Sequence, residues 1–167
     1  MKLSFPRTLA TAIGLSSAIL FSPIAMAQEP AVNLRTALQF IDQAQTEATS
    51  AHAHVAIAIV DEGGNLVAFQ RMDGTQLGST ELAIRKAKTA LSFSRPTVDM
   101  EHALNKGNFM IATLPNALPA GGGYPITVNG RIIGALGLSG GEGETDARLA
   151  QAAVQETLKA KPLQAHE

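Results

Sequence analysis

A basic cluster is the clearest group of residues in this sequence that could carry chemistry. Arg85, Lys86 and Lys88 lie close together, and Arg95 follows them. Arg85 and Lys88 are three residues apart, which places them on one face of a helix. Guanidinium and ammonium groups bind carboxylates through charge-assisted hydrogen bonds. The cluster therefore predicts a site for a small ligand that carries carboxylate groups, and the alternative is a solvated helix face.

A second polar group flanks a predicted hairpin. Arg71, Met72 and Asp73 follow its second strand, and Asp61 follows its first. One interpretation places Arg71 and Asp73 at the rim of a pocket, with Met72 as apolar lining. The other is an Asp–Arg pair that stabilises the turns.

Histidine is the remaining candidate for acid–base or metal chemistry. No pair has the spacing of a zinc site with further ligands. His52 and His54 would share one face of a strand and could converge on one ion, or they could be solvated at its start. His102 stands alone on a short helix, where it could be an exposed residue or a metal ligand, and His166 lies in the C-terminal tail.

Nucleophilic and phosphate-binding motifs are weak here. The sequence has no cysteine, and Ser139 lies outside a Gly-x-Ser-x-Gly elbow. The glycine-rich stretches 121–123 and 140–143 lack the Gly-Lys-Ser/Thr ending of a phosphate loop. The more economical interpretation is that these glycines let the chain pass close to other backbone.

The composition of the 167 residues narrows the class of protein. Hydrophobic residues make up 46% and charged residues 16%, which is too apolar for a disordered chain. Lys plus Arg is 13 and Asp plus Glu is 14, so there is no basic excess for binding nucleic acid. The length favours a single domain with a sizeable core.

The N-terminal segment has the pattern of a secretory signal peptide. Lys2 and Arg7 precede an apolar run, Pro23 interrupts it, and Ala25-Met26-Ala27 has the small-x-small form of a cleavage site. The sequence predicts a cleaved signal peptide over residues 1–27 and one domain over residues 28–167. The mature protein would be periplasmic or secreted, with no membrane attachment; the alternative is an N-terminal anchor.

The periodicity of the mature chain predicts the order helix, hairpin, two helices, hairpin, helix. Asn33 is placed to cap the first helix, and Ser79 or Thr80 the second. Residues 111–114 predict a further short strand. In the last strand, alternation predicts Ile132, Leu136 and Leu138 on one face and Ile133, Ala135 and Gly137 on the other.

Tight hairpins make the paired strands antiparallel. Strands that are apolar on both faces need a layer on each side. The predicted fold class is therefore α/β (α+β), a three-layer α/β/α sandwich around a roughly five-stranded antiparallel sheet.

Five short motifs in order, with Asp146 after them, resemble the GlcG/HbpS-like family over residues 34–158. Each motif alone is weak, and it is their order and spacing that make the resemblance specific. The motifs are Val60-Asp61-Glu62-Gly63-Gly64-Asn65-Leu66, Arg71-Met72-Asp73-Gly74, Lys86-Ala87-Lys88-Thr89-Ala90, Gly122-Gly123-Tyr124-Pro125-Ile126, Gly130-Arg131-Ile132-Ile133-Gly134-Ala135-Leu136-Gly137-Leu138-Ser139-Gly140, and Asp146.

The resemblance implies a profilin-like sandwich, homo-oligomers and, in its exported branch, haem binding linked to haem or iron sensing. Another branch occurs with glycolate utilisation, and a third is fused to cobalamin adenosyltransferases. Taken with the motifs, it suggests a ligand site formed by Arg71, Lys86, Lys88, Thr89, Gly122 and Gly123. The family's iron ligand matches no motif here, so a histidine, with His102 as the candidate, and a hydroxyl such as Thr113 both stay open. Without cysteine, a haem iron would be held by nitrogen, oxygen or methionine sulfur.

Three functions follow as hypotheses. The first is an exported haem-binding protein that serves as a sensor accessory or scavenger. The second is a GlcG-type protein that binds or converts a small molecule, such as a hydroxy acid or a tetrapyrrole-related compound. The third is an oligomeric structural module without a ligand. No catalytic motif supports an enzyme directly.

Overall fold

Residues 31–160 are described by a computed structural model, and the predicted signal peptide lies outside them. The elements are α1 Leu34–Ser50, β1 Ala56–Asp61, β2 Leu66–Arg71, α2 Ser79–Ser92, α3 Thr97–Asn105, a 3₁₀ helix Phe109–Thr113, β3 Gly123–Val128, β4 Arg131–Ser139 and α4 Gly143–Ala160.

The four strands form one antiparallel sheet in the order β2-β1-β4-β3. Two hairpins account for the outer pairs, and β1 and β4 pair in the centre, with Ala56 opposite Ser139 and Asp61 opposite Gly134. Helices α1 and α4 pack together on one face, and α2 covers the other. The α/β/α class is confirmed, with four strands in the described part of the chain.

The segment predicted as a further strand is helical instead. Residues 111–113 belong to the 3₁₀ helix Phe109–Thr113, and none of its five residues is buried. A strand needs a neighbour for its backbone groups, and this segment packs beside α3 rather than along a sheet edge.

The N-cap of α1 agrees with the prediction from the sequence, and that of α2 does not. Asn33 caps α1 as predicted, because its side-chain oxygen accepts a hydrogen bond of 2.8 Å from the Thr36 N–H. Helix α2 begins at Ser79, but its N-cap is Gly78, with no side-chain hydrogen bond. The Ser79 side chain is fully buried, so it faces the interior rather than the helix end.

Large and small side chains are sorted between the two faces of the sheet. The face toward α1 and α4 carries the branched residues Ile57, Ile59, Leu136 and Leu138. The face toward α2 carries alanines of β1 and β4, which meet alanines of the helix. Small side chains on both surfaces let α2 lie unusually close to the sheet.

The prediction that Ile133 shares a face with Ala135 and Gly137 is wrong. The β3–β4 register shifts so that Ile126 pairs with Gly134 but Thr127 pairs with Ile132. This irregularity leaves Ile133 without a paired residue and turns its side chain into the cluster with Leu136 and Leu138.

The close approach of α2 makes Gly137 sensitive to any added side chain. A β-carbon there would lie 1.9 Å from the Ala83 carbonyl oxygen and 2.6 Å from the Ala87 nitrogen. We predict that Gly137→Ala lowers the free energy of unfolding by about 2–3 kcal/mol through overpacking, measured by urea denaturation.

Gly78 provides the matched control, because a β-carbon there would meet nothing within 4 Å. Gly78→Ala should be neutral or stabilise by about 0.5 kcal/mol. Equal stabilities of the two variants would show that α2 does not press against β4 at Gly137.

Candidate functional site

Lys86 projects from the buried face of α2 into the molecule. Its Nζ lies 2.8 Å from Asp146 Oδ2 and donates a second hydrogen bond to the Leu138 carbonyl oxygen at 3.2 Å. The two side chains are 4% and 1% exposed. The ammonium and the carboxylate therefore form an ion pair shielded from water, which links α2 to α4.

The glycine-rich loop after β4 completes the surroundings of Asp146. The N–H of Gly141 donates to Asp146 Oδ1 at 3.0 Å, and that of Gly140 donates to Oδ2 at 3.3 Å. Both carboxylate oxygens thus receive hydrogen bonds beyond the ion pair. The anion that the Gly140–Gly141 backbone binds is therefore the Asp146 carboxylate of the protein itself.

Gly122 and Gly123 enclose the pair from the β3 side. A β-carbon at Gly122 would lie 3.1 Å from Lys86 Nζ and 2.2 Å from the Leu138 carbonyl oxygen. At Gly123 it would lie 2.3 Å from the Lys86 carbonyl oxygen. Both residues are buried, so these glycines let backbone pack tightly around the pair.

The opposite, exposed face of α2 forms one wall of a groove of about 880 Å³. The cationic side chains Arg85 and Lys88 lie in it together with the half-buried Ile84 and Leu91. Its volume falls within the range of small-molecule sites. The residues that line it are Glu62, Gly63, Gly64, Glu81, Ile84, Arg85, Lys88, Leu91, Ser92 and Asn116.

Thr89 fixes a second wall of the groove. Its hydroxyl donates to the Arg85 carbonyl oxygen at 2.8 Å and accepts a hydrogen bond from the Leu118 N–H at 3.0 Å. This contact ties the segment that contains Asn116 to the middle of α2. Thr89 is itself buried, so it shapes the groove from behind.

Asp61 shapes the third wall, the turn between β1 and β2. Its Oδ1 accepts hydrogen bonds of 2.9 Å from the N–H groups of Gly63 and Asn65. Partial burial raises the pKa of the Asp61 carboxyl, but the hydrogen bonds from Asn65, Gly63 and Gly64 outweigh burial and hold this pKa below its ordinary value. The carboxylate therefore stays ionised and keeps the turn closed over the physiological pH range.

The structure divides the residues predicted as one ligand site into three places. Lys88 lies in the groove and Thr89 behind it. Lys86, Gly122 and Gly123 surround the buried ion pair. Arg71 is exposed at the end of β2 farthest from the β1–β2 turn, so it lies outside the groove.

His102 lies on α3 and contacts Glu144 near the start of α4. Both side chains are exposed. Glu144 also borders a smaller hollow of about 300 Å³ with Tyr124 and Arg148. His52 and His54 are exposed before β1, and within residues 31–160 no three His, Asp or Glu side chains come close enough to bind a metal ion.

Sequence reasoning found the cations but missed the residues that line the groove beside them. Ile84, Leu91 and Asn116 line the groove, and only the first two share a helical face with Arg85 and Lys88. The i, i+3, i+4, i+7, i+10 spacing of residues 81, 84, 85, 88 and 91 was the available signal. Asn116 had no such signal, because a loop brings it to the groove.

No described helix is long and apolar enough to cross a membrane.

The buried ion pair generates a direct test. We predict that Lys86→Met lowers the free energy of unfolding by about 3–5 kcal/mol, because the Asp146 charge is left buried without a counterion. The double variant Lys86→Met, Asp146→Asn should lose less than the sum of the two single losses, since it leaves no unpaired charge.

The exposed pair Lys159–Glu156, with an N–O distance of 2.7 Å, is the matched control. Lys159→Met should change the free energy of unfolding by less than about 0.5 kcal/mol. If urea denaturation gave the same small loss for Lys86→Met, the proposed importance of the buried pair would be wrong.

Comparisons with known proteins cover most of the described residues. A family model described as haem degrading protein HbpS-like matches residues 32–155. GlcG of Escherichia coli strain K12 is 38% identical over 95 residues, which is 57% of this chain and 71% of GlcG.

Two solved structures share the fold. The crystal structure of HbpS has a TM-score of 0.69 and 30% identity, covering 79% of this chain and 94% of that one. The crystal structure of the PduOC:Heme complex has a TM-score of 0.68 and 29% identity, covering 82% and 99%. The family model spans most of the described residues, and the chain belongs to the HbpS-like family.

Proposed function

We propose that this protein binds haem or a closely related tetrapyrrole in the groove along α2. The observation that carries the proposal is a groove of about 880 Å³ that combines Arg85 and Lys88 with apolar side chains. Membership of a family described as haem degrading, and similarity to a chain crystallised with heme, support this class of ligand.

The cationic and apolar residues of the groove support binding of the organic part of haem. Arg85 and Lys88 are exposed and would donate hydrogen bonds to the two propionate carboxylates. Ile84 and Leu91 would contact one face of the macrocycle. Bound haem would supply an iron centre whose properties depend on its axial ligand.

Lys86 has a different role from Arg85 and Lys88. Its ammonium is buried against Asp146, so it positions α2 and leaves the propionates to its exposed neighbours. The substitution Lys86→Met would act on ligand binding through the position of the helix.

We further propose that the mature protein acts outside the cytoplasm as a sensor accessory or scavenger, and as a homo-oligomer. The charged start, apolar run and Ala25-Met26-Ala27 site support export. Leu34 and Leu38, one turn apart on α1, are 58% and 47% exposed, and they support contact with a second copy.

A second candidate is a GlcG-type function on a smaller carboxylate such as a hydroxy acid. The two cations and the Asn116 side chain in one groove favour it. In that case the apolar residues would contribute little to affinity. The ligand that raises the melting temperature in a thermal-shift series of hydroxy acids and porphyrins separates the two functions.

The binding test is a hemin titration of the mature protein followed by the Soret band. We predict saturable binding, and an affinity at least about tenfold lower for the double variant Arg85→Ala, Lys88→Ala, because both carboxylate contacts are lost. Arg35→Ala, an exposed cation on α1 in the opposite layer, is the control and should bind as the parent does.

Absence of saturable binding by the parent protein would contradict the haem proposal. Equal losses in the Arg35 variant and the double variant would contradict the choice of groove.

Export has its own test. Expressed in full length in a Gram-negative host, the protein should be recovered from the periplasm or the medium with a mass that begins at Gln28. Recovery of an uncleaved chain from the cytoplasm would overturn this part of the proposal.

A further inference from the structure

The two edges of the sheet differ in the backbone groups that they leave unpaired. Strands β2 and β3 form these edges, because the strand order is β2-β1-β4-β3. An edge strand presents N–H and C=O groups with which another strand can pair. The hydrogen bonds between each edge strand and its inner neighbour show which residues present them.

The β3 edge offers no free donor. The Leu138 N–H donates to the Gly122 carbonyl oxygen at 2.8 Å. Alternation along an antiparallel ladder then turns the backbone groups of Gly123 and Pro125 outward. The Gly123 N–H already donates to the Thr97 hydroxyl at 2.8 Å. Pro125 has no N–H, so a further strand cannot pair fully with this edge.

The β2 edge is open. The Met72 N–H donates to the Val55 carbonyl oxygen at 3.0 Å. The same alternation directs the backbone groups of Gln70 toward β1 and those of Phe69 and Arg71 away from it. Within residues 31–160, the outward groups of Phe69 and Arg71 have no hydrogen-bond partner. They are therefore available to a strand from outside this chain.

The open stretch of β2 is complementary to itself. The register shift near the β1–β2 turn limits the regular ladder to residues 68–71. A second copy related by a two-fold axis at Gln70 would run antiparallel to it, with Phe69 opposite Arg71 of that copy. Each outward N–H would then meet a carbonyl oxygen of the other strand.

Charge beside this edge favours a second copy as the occupant. Phe69 and Ile84 pack against the same alanine cluster between α2 and the sheet. Glu81 lies one turn before Ile84 on α2, and Arg71 shares a face of β2 with Phe69. The side chains of Arg71 and Glu81 are exposed, and neither forms an ion pair within the described residues. Two-fold pairing would bring each guanidinium to the carboxylate of the other copy.

We propose that β2 pairs with β2 of a second copy, antiparallel about a two-fold axis near Gln70, and that Arg71 binds Glu81 of that copy. The two sheets then continue into one. The inference rests on the homo-oligomer proposed above and names a surface that does not include the α1 leucines. It also gives a role to Arg71, which lies outside the groove.

The first test is amide hydrogen exchange of the full mature chain, read residue by residue. We predict that the amides of Phe69 and Arg71 exchange at least about 100-fold more slowly than in an unstructured peptide, because the second copy accepts their hydrogen bonds. The amides of Ala68 and Gln70 face β1 and are the matched control, since they should be protected in any folded chain.

The second test is a charge exchange followed by sedimentation equilibrium. Arg71→Glu and Glu81→Arg should each raise the dissociation constant of the pair at least about tenfold, because like charges would then face each other. The double variant should recover most of the affinity. Lys106→Glu makes the same charge change at an exposed residue after α3 and should associate as the parent does.

The outcomes separate this interface from the proposed homo-oligomer. An oligomer whose Phe69 and Arg71 amides exchange freely would overturn the β2 interface and leave the homo-oligomer in place. Single charge variants that associate as Lys106→Glu does would overturn the contact between Arg71 and Glu81. A parent chain that stays monomeric would overturn both proposals and would leave this edge to an extended segment of another protein.

Discussion

The ion pair between Lys86 and Asp146 is the constraint on which the remaining geometry depends. Burying two charges 2.8 Å apart costs free energy unless their remaining hydrogen-bonding groups also find partners. The Leu138 carbonyl oxygen and the N–H groups of Gly140 and Gly141 meet that demand. The glycine-rich loop, the start of α4 and the middle of α2 are therefore fixed relative to one another by one interaction.

The fixed position of α2 determines which side chains its exposed face presents. Alanines pack the helix closely on the sheet, and Lys86 locks its rotation, so Arg85 and Lys88 must project away from the core. The β1–β2 turn, held by Asp61, and the loop held by Thr89 then enclose them as a groove. One helix thus stabilises the fold with one side and, as we propose, binds the ligand with the other, so its basic residues divide between two roles.

More of the architecture than of the site could be predicted from the sequence. Two hairpins, strands apolar on both faces and the Asn33 cap predict the sandwich, because each depends on local spacing. The burial of Lys86 could not be predicted, since its counterion is 60 positions away and a lysine on a helix is usually solvated. The face of Ile133 was predicted wrongly because a bulge interrupts the strand alternation. Residues 111–113 were predicted wrongly as a strand because they pair with no sheet edge and form a 3₁₀ helix instead.

We propose that the exposed face of α2 binds the ligand while its buried face stabilises the fold. The most direct measurement is a crystal structure of the mature protein with hemin, with diffraction recorded at the iron absorption edge. We expect one strong iron peak over the groove, with density for carboxylates at Arg85 and Lys88 and the Lys86–Asp146 contact intact. An iron peak beside His102, or carboxylate density at Lys86 with the ion pair broken, would contradict it.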